Sequence, residues 1–533
     1  MSFKRWILVA AVLGSGIVFL DSTVVNVALP RIGRDLPRSL FGVLEGQSYV
    51  YNAYLLTLST LLILAGALND FFGRRRMFAL GLIGFGATSV LCGVAPNMEL
   101  LVLFRVLQGA AGAMLVPGSL ALITANFSGE EQGRAFGVWA GASAATTVLG
   151  PFVGGLLVDT ISWRAAFLIN VPLVAVALWA TYRHVPESRD EQASSKFDWL
   201  GALIVGLAVG GLAFGAIYGQ ERNWRDPVGY IAIAVGVVAT VALPFVMLRS
   251  SNPLIPPHLF RSRNFTVTNI STLLIYGALY VTGYYLAIFQ QGSLGYTAAA
   301  AGLAFVPGTL FLIFFSARFG SLAARFGPRW FMAAGPAIMA VGVVWLARVP
   351  ASSTPWALKP ADPASFLPPL SYAVDFLPGA ILFGVGLMVL VAPLTTALMT
   401  SVPVHNSGVG SAINNAISRV GPQLAGALIF VFITANFYSY LASRLTGVDV
   451  SSSTFRDAVS PLNAPLDPGL IGVVRDASTS SFHIAMLVAT LLLVLGALVN
   501  GIGIQNAPAT KRDEQARSES APADTIPVAS EGS

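Results

Sequence analysis

Fourteen times along this chain, about twenty or more residues pass with scarcely a charge among them. That is the length an α-helix needs to cross a hydrocarbon core of about 30 Å. The runs lie near 6–29, 48–69, 77–95, 99–125, 132–157, 164–184, 198–219, 228–248, 266–290, 299–318, 330–348, 373–400, 407–436 and 481–504. Lipid offers no hydrogen bonds to an open backbone, so only helices or closed barrels can span it. These runs are too long and unbroken for barrel strands. The expected fold class is an all-α integral membrane protein with fourteen transmembrane helices. The balance of residues agrees: 11% are charged, against about 25% in soluble domains.

The first run, "MSFKRWILVAAVLGSGIVFL", has the basic start and apolar core of a signal peptide. Apolar character resumes after Asp21 with "STVVNVALP", and no small-residue cleavage site stands out, so it reads as a retained first span. The net charge of +6 does not suggest nucleic acid, because the basic residues sit in short clusters between spans and not on one face. Cys92 is the single cysteine, and His184, His258, His405 and His483 are scattered, so no metal site is expected. No nucleotide-binding loop or nucleophile constellation is present, so neither an enzyme nor a resident cofactor is expected.

Orientation follows from arginine and lysine, which favour cytoplasmic loops. With the N-terminus inside, the inner loops hold Arg74, Arg75, Arg76, Arg134, Arg183, Arg189, Lys196, Arg249, Arg261, Arg263, Arg318, Arg325 and Arg329. Arg31, Arg34 and Arg38 in the first outer loop run against the trend, but the sum places both termini in the cytoplasm. The long loops near 349–372 and 437–480 then lie outside, where a periplasmic adaptor protein has room to dock. Residues 507–533 read as a polar, disordered cytoplasmic tail.

The chain also repeats itself. "GALNDFFGRRR" (66–76) ends the second span and "GSLAARFGPRW" (320–330) ends the tenth, matching Gly66 with Gly320, Gly73 with Gly327 and Arg75 with Arg329. "VLGPFVGGLL" (148–157) in the fifth span pairs with "RVGPQLAGAL" (419–428) in the thirteenth. Both pairs are eight spans apart, as two six-helix sets with two helices inserted between them would place them. This predicts a 6 + 2 + 6 arrangement: a bundle over 1–190, inserted peripheral helices over 191–250 and a second bundle over 251–506. Parallel six-helix repeats of this kind are a transporter architecture.

Residues 66–76 resemble the loop 2–3 signature of the major facilitator superfamily. "LDSTVVNVALP" (20–30), "RVLQGAAGAMLVPGSLALI" (105–123), "LGPFVGGLL" (149–157) and "WRAAFLINVP" (163–172) resemble its fourteen-helix drug:proton antiporter branch. Phe71 departs from the pattern, standing where that family often has a basic residue. The resemblance implies proton-driven efflux of hydrophobic or amphipathic small molecules from a bacterial plasma membrane, with the bilayer, the substrate and protons as partners, by a protein functional as a monomer. It further implies a loop 2–3 latch built from Gly66, Asp70, Gly73 and Arg74, with Arg134 as the partner of Asp70, and an antiporter pattern at Gly141, Gly150, Pro151, Gly154 and Gly155. Read from position alone, Asp70 can face either an arginine or the N-terminus of another helix.

Buried charge marks the rest of the site, because a charge at mid-membrane costs roughly 2.5–3.5 kcal/mol on insertion scales. Asp21 lies about 22 Å up the first span and Arg105 about 9 Å down the fourth, which nearly coincide in a core of about 30 Å. The two can pair as a proton-coupling site. Candidates for a substrate cavity are Asn26, Asn52, Tyr54, the tyrosine stripe Tyr276, Tyr280 and Tyr284, Asn415 and Arg419, the last with no evident acidic partner. Exporters of an endogenous lipid, siderophore or secondary metabolite, and importers or uncoupled facilitators, are the competing readings.

Overall fold

The computed structural model describes residues 3–37, 43–189, 197–221, 226–359, 362–445, 447–463 and 467–506. The tail from 507 and the link at 190–196 lie outside the described residues. The described chain is helical: α1 (Phe3–Asp35), α2 (Val43–Phe72), α3 (Arg74–Gly93), α4 (Met98–Ala113), α5 (Leu115–Asn126), α6 (Gly129–Thr160), α7 (Ala165–Leu168), α8 (Asn170–His184), α9 (Trp199–Glu221), α10 (Pro227–Arg249), α11 (Arg263–Ile288), α12 (Ala298–Leu303), α13 (Val306–Phe326), α14 (Arg329–Leu346), α15 (Leu377–Thr400), α16 (Ser407–Arg444), α17 (Ser453–Ala458) and α18 (Ile471–Gly503). Among these residues, 13 helical stretches are long and apolar enough to cross a membrane. The fourth span of the sequence appears as α4 and α5 joined at Met114, and the sixth as α7 and α8 joined at Ile169. The fifth, α6, is 32 residues long but is not one of the thirteen.

Local chemistry sets the helix ends. Asn97 accepts from the Leu100 amide at 2.9 Å and caps α4. Asp226 caps α10 ahead of Pro227, whose missing N–H costs nothing at the first helical position. A single residue, Gly73, joins α2 to α3 with φ 107°, and Gly327 ends α13 with φ 89°. Both lie in the left-handed region that favours glycine. The repeat noted in the sequence thus places a left-handed glycine at the same point twice.

Helices α1–α8 and α11–α18 form two sets that each hold a buried core of their own and share a third. One core contains Ile275, Met339 and Phe482 from the second set. A far-end core of the first set contains Val24, Cys92 and Trp163. A third crosses between the sets, joining Phe78 and Leu120 to Leu398, Val409 and Ala412. The sets are pressed together at the end that carries the α2–α3 turn. There α2 packs on α16 and α6 on α13. Glycines permit both approaches: a Cβ on Gly66 would strike the Gly408 carbonyl, and one on Gly320 would strike the Gly133 carbonyl. Small residues that let backbones meet are the usual substitute for hydrophobic driving force within lipid. Lys4 pairs with Glu131 at 2.5 Å, and Arg263 donates to the Gly503 carbonyl at 2.8 Å, so the two ends of the described chain share this end of the molecule.

The two helices expected as a peripheral insertion differ in what they touch. α10 packs on α9 and makes little other contact. α9 instead fills the groove between α2 and α16, so it touches both sets. Its glycines explain the fit: Gly210 lies against Thr60 of α2, while Gly211 meets Gly236 of α10. Sequence position alone could not distinguish a helix lying outside the bundle from one wedged into its seam.

Candidate functional site

Asp21 and Arg105 meet, as their depths predict. Arg105 Nη1 lies 2.5 Å from Asp21 Oδ2, and both side chains are fully buried. Two further donors complete the carboxylate's surroundings: Gln108 Nε2 at 3.0 Å and Asn170 Nδ2 at 2.9 Å, both to Oδ1. The same two amides also donate to Ser89 Oγ, at 2.9 and 3.3 Å. Arg105 Nε donates to the Val50 carbonyl at 3.0 Å, and its guanidinium lies 4.1 Å from the Tyr54 ring centre. Tyr54 in turn donates to the Val18 carbonyl at 3.1 Å. Three side chains, Arg105, Gln108 and Asn170, thus aim donors at the Asp21 carboxyl. Arg105 Nη2 is buried without a hydrogen-bond partner. A buried pair of this kind is costly to break, because removing one partner strands the other charge.

Gln108 and Asn170 were not singled out in the sequence. Gln108 had a readable signal, since it sits three residues after Arg105 and therefore on the same helix face. Asn170 had none: it opens α8 at the break after α7, and that break aims it inward.

The α2–α3 turn forms a second cluster. Asp70 and Arg74 are both buried. Asp70 Oδ1 accepts from Arg74 Nε at 3.1 Å and from Arg74 Nη2 at 2.9 Å. Its Oδ2 accepts the backbone N–H of Val409 at 2.9 Å, in the first turn of α16. Arg74 also donates to the Val404 carbonyl. One carboxylate thereby satisfies an orphan amide at a helix N-terminus, where negative charge is favoured, and ties α2 to the other helix set. Arg134 takes no part. It stands exposed on α6, with no hydrogen bond or ion pair to Asp70. The positive partner is the neighbour one turn away, and the partner across the seam is a helix end.

Behind the turn, Glu187 accepts the backbone amides of Arg75 and Arg76, each at 3.1 Å. This caps α3 from the segment after α8. Glu187→Gln keeps an acceptor but loses the charge at the helix N-terminus, so it should destabilise by about 1 kcal/mol. Thermal unfolding of the purified protein measures it; an unchanged midpoint would mean that the cap carries no weight.

Phe71, the departure from the expected loop pattern, packs on Phe72 and Phe197 with ring centres 4.7 and 5.5 Å away. The position therefore anchors the segment leading into α9.

The small residues of α6 serve two neighbours. Gly137 and Gly141 lie against α13, at Ala317 and Ile313. Gly150, Gly154 and Gly155 lie against Thr23, Val24 and Val27 of α1. The helix runs unbroken through position 151, and the side chain of Pro151 lies outside the described residues.

The tyrosine stripe divides. Tyr280 and Tyr284 stack with centres 5.2 Å apart, and Tyr284 is 46% exposed. Tyr276 lies one helical turn before Tyr280 and is not part of that stack. Asn26 is exposed on α1. Asn415 donates to the Ser411 carbonyl of its own helix, whereas its neighbour Asn414 bridges to Asn269 and Thr272 of α11 at 3.1 and 2.8 Å.

A buried ion pair between α1 and α4, a carboxylate locked to the opposite helix set and thirteen apolar spans describe a membrane transporter. Comparison with known proteins agrees. The sequence model of the Major Facilitator Superfamily matches residues 11–426. The chain is 34% identical over 452 residues to the puromycin resistance protein pur8 of Streptomyces alboniger, covering 83% of this chain and 84% of that one. It is 31% identical over 474 residues to the tetracenomycin C resistance and export protein of Streptomyces glaucescens, covering 88% and 81%. A solved double-tryptophan mutant of XylE superposes with a TM-score of 0.58 at 15% identity, covering 95% of this chain and 97% of that one, which speaks for the fold alone. On this evidence the chain belongs to the Major Facilitator Superfamily of multi-pass membrane transporters.

Proposed function

We propose that this protein exports hydrophobic or amphipathic small molecules across a bacterial plasma membrane in exchange for protons. In this reading α6 is the fourteenth span and the helices are arranged 6 + 2 + 6, with both termini in the cytoplasm. The matched Gly66–Gly408 and Gly133–Gly320 contacts support the repeat, since each joins one helix of a set to the other set. The observation that carries the coupling is the sealed Asp21–Arg105 pair. A carboxylate deep in the membrane that can change partner as the cavity changes sides is suited to carry a proton. Asp70, with Arg74, closes the cytoplasmic end until the sets rock apart. No other energy source or cofactor is invoked. The substrate class is supported by relatives named for resistance to puromycin and tetracenomycin C. A second reading, export of a self-made secondary metabolite, draws on the word "export" in the second of those names.

Purified protein in vesicles, given an imposed pH gradient, tests the proposal with tetracenomycin C, the compound in one relative's name. The compound should accumulate against its own gradient on the acidic side. Movement that ignores the pH gradient would reduce the protein to a facilitator, and movement with the proton would make it an importer.

A further inference from the structure

Arg419 is a partly buried cation that neither the Asp21–Arg105 pair nor the Asp70–Arg74 pair accounts for. It lies 12 residues beyond the start of α16 at Ser407, about 18 Å along the helix. That is well inside a core of about 30 Å. Among the described residues it forms no ion pair. A cation so placed is expensive unless something neutralises it.

Arg419 is partly buried and lines a cavity of about 130 Å³ with Leu55, Ser59, Ala213, Ile217 and Gln423. These residues come from α2, α9 and α16, so the inserted helix supplies one wall. The cavity is far below the roughly 300–1,000 Å³ that holds a drug-sized ligand. It suits a single head group. The Asp21–Arg105 pair is neutral in sum, and no carboxylate stands among the residues lining the Arg419 cavity, so an anion entering it would meet an uncompensated guanidinium.

We infer that the cavity between α2, α9 and α16 is a subsite for the anionic head group of the substrate, held by Arg419, so that the cargo is an amphipathic organic acid or phenolate and not a lipophilic cation. This rests on the export reading and narrows its substrate class. The head sits against Arg419 with Ser59 and Gln423 at the wall, while the apolar body extends towards the seam between the helix sets. Guanidinium is well suited to the task, because its planar fork meets carboxylate oxygens in pairs and it keeps its charge.

The test uses two dyes with one ring system and opposite charge, fluorescein and rhodamine 123. Binding is read by fluorescence anisotropy to the full-length protein in phosphatidylcholine nanodiscs. Wild type should bind fluorescein about tenfold or more tightly than rhodamine 123, the scale of one charge-assisted contact. Arg419→Gln should abolish that preference through loss of fluorescein affinity, with rhodamine 123 unchanged or improved. Arg419→Lys should keep most of it. A preference for rhodamine 123 in wild type overturns the inference, as does an intact fluorescein preference in Arg419→Gln. So does equal loss of both dyes in Arg419→Gln and Arg419→Lys, which marks a structural arginine. Displacement of fluorescein by phosphatidylglycerol added to the discs assigns the cation to a lipid headgroup and also overturns it. Export fails separately: absence of proton-driven transport leaves the dye preference standing.

Discussion

Asp21→Asn should insert and fold yet lose all uphill export driven by a pH gradient. The amide still accepts one of the hydrogen bonds from Gln108 and Asn170, so the helices stay in register. It cannot take up and release a proton, and it leaves Arg105 buried beside a neutral group. Stranding one member of a buried pair costs about 3–5 kcal/mol, so the thermal midpoint should fall with the activity. Arg105→Gln alone should be as damaging. The double variant should recover much of the stability and none of the coupling, because the pair is restored to neutrality without a titrating group. Vesicle transport with and without the imposed gradient separates the two readouts. Wild-type uphill export by Asp21→Asn would remove this carboxylate from the coupling step.

Asp70→Asn should act on the other end of the cycle. The variant loses the charge that holds Arg74 and the Val409 amide. Charge-assisted hydrogen bonds contribute about 1.5–3 kcal/mol each. Losing about 2 kcal/mol from the closed form shifts the equilibrium roughly thirtyfold towards opening at this end. Turnover should fall by at least about tenfold while the substrate dissociation constant moves by less than about threefold. Ala412→Cys in a Cys92→Ser background reports the shift. Ala412 is fully buried under Gly66, so an impermeant maleimide reaches the new thiol only when the sets part. Faster labelling in Asp70→Asn supports the latch. Unchanged labelling with slow turnover would confine Asp70 to shaping its own loop.

Much of this arrangement was legible because membrane helices turn sequence position into depth. Counting residues from the span ends put Asp21 and Arg105 at one level, and the pair is there. Depth says nothing about rotation about the helix axis or about neighbours. Hence Asn170 was missed, although it reaches the same carboxylate as Gln108. Arg134 shows the complementary failure. Position alone left Asp70 facing an arginine or a helix N-terminus; it meets both, Arg74 one turn away and the Val409 amide across the seam, and position could not say that the arginine was not Arg134. The role of α9 was hidden for the same reason: its small residues read equally well as lipid-facing text or as a wedge.

That wedge gives the molecule a handedness in its traffic with the bilayer. On one flank, α9 and α10 stand like a gasket over the α2–α16 seam, joined to each other through Gly211 and Gly236. The opposite flank, along α6 and α13, has no comparable cover among the described residues. The acyl chains therefore meet two unlike flanks, one shuttered and one bare. Lipid thickness and chain order should thus act on one flank more than on the other, although the two helix sets repeat the same motifs.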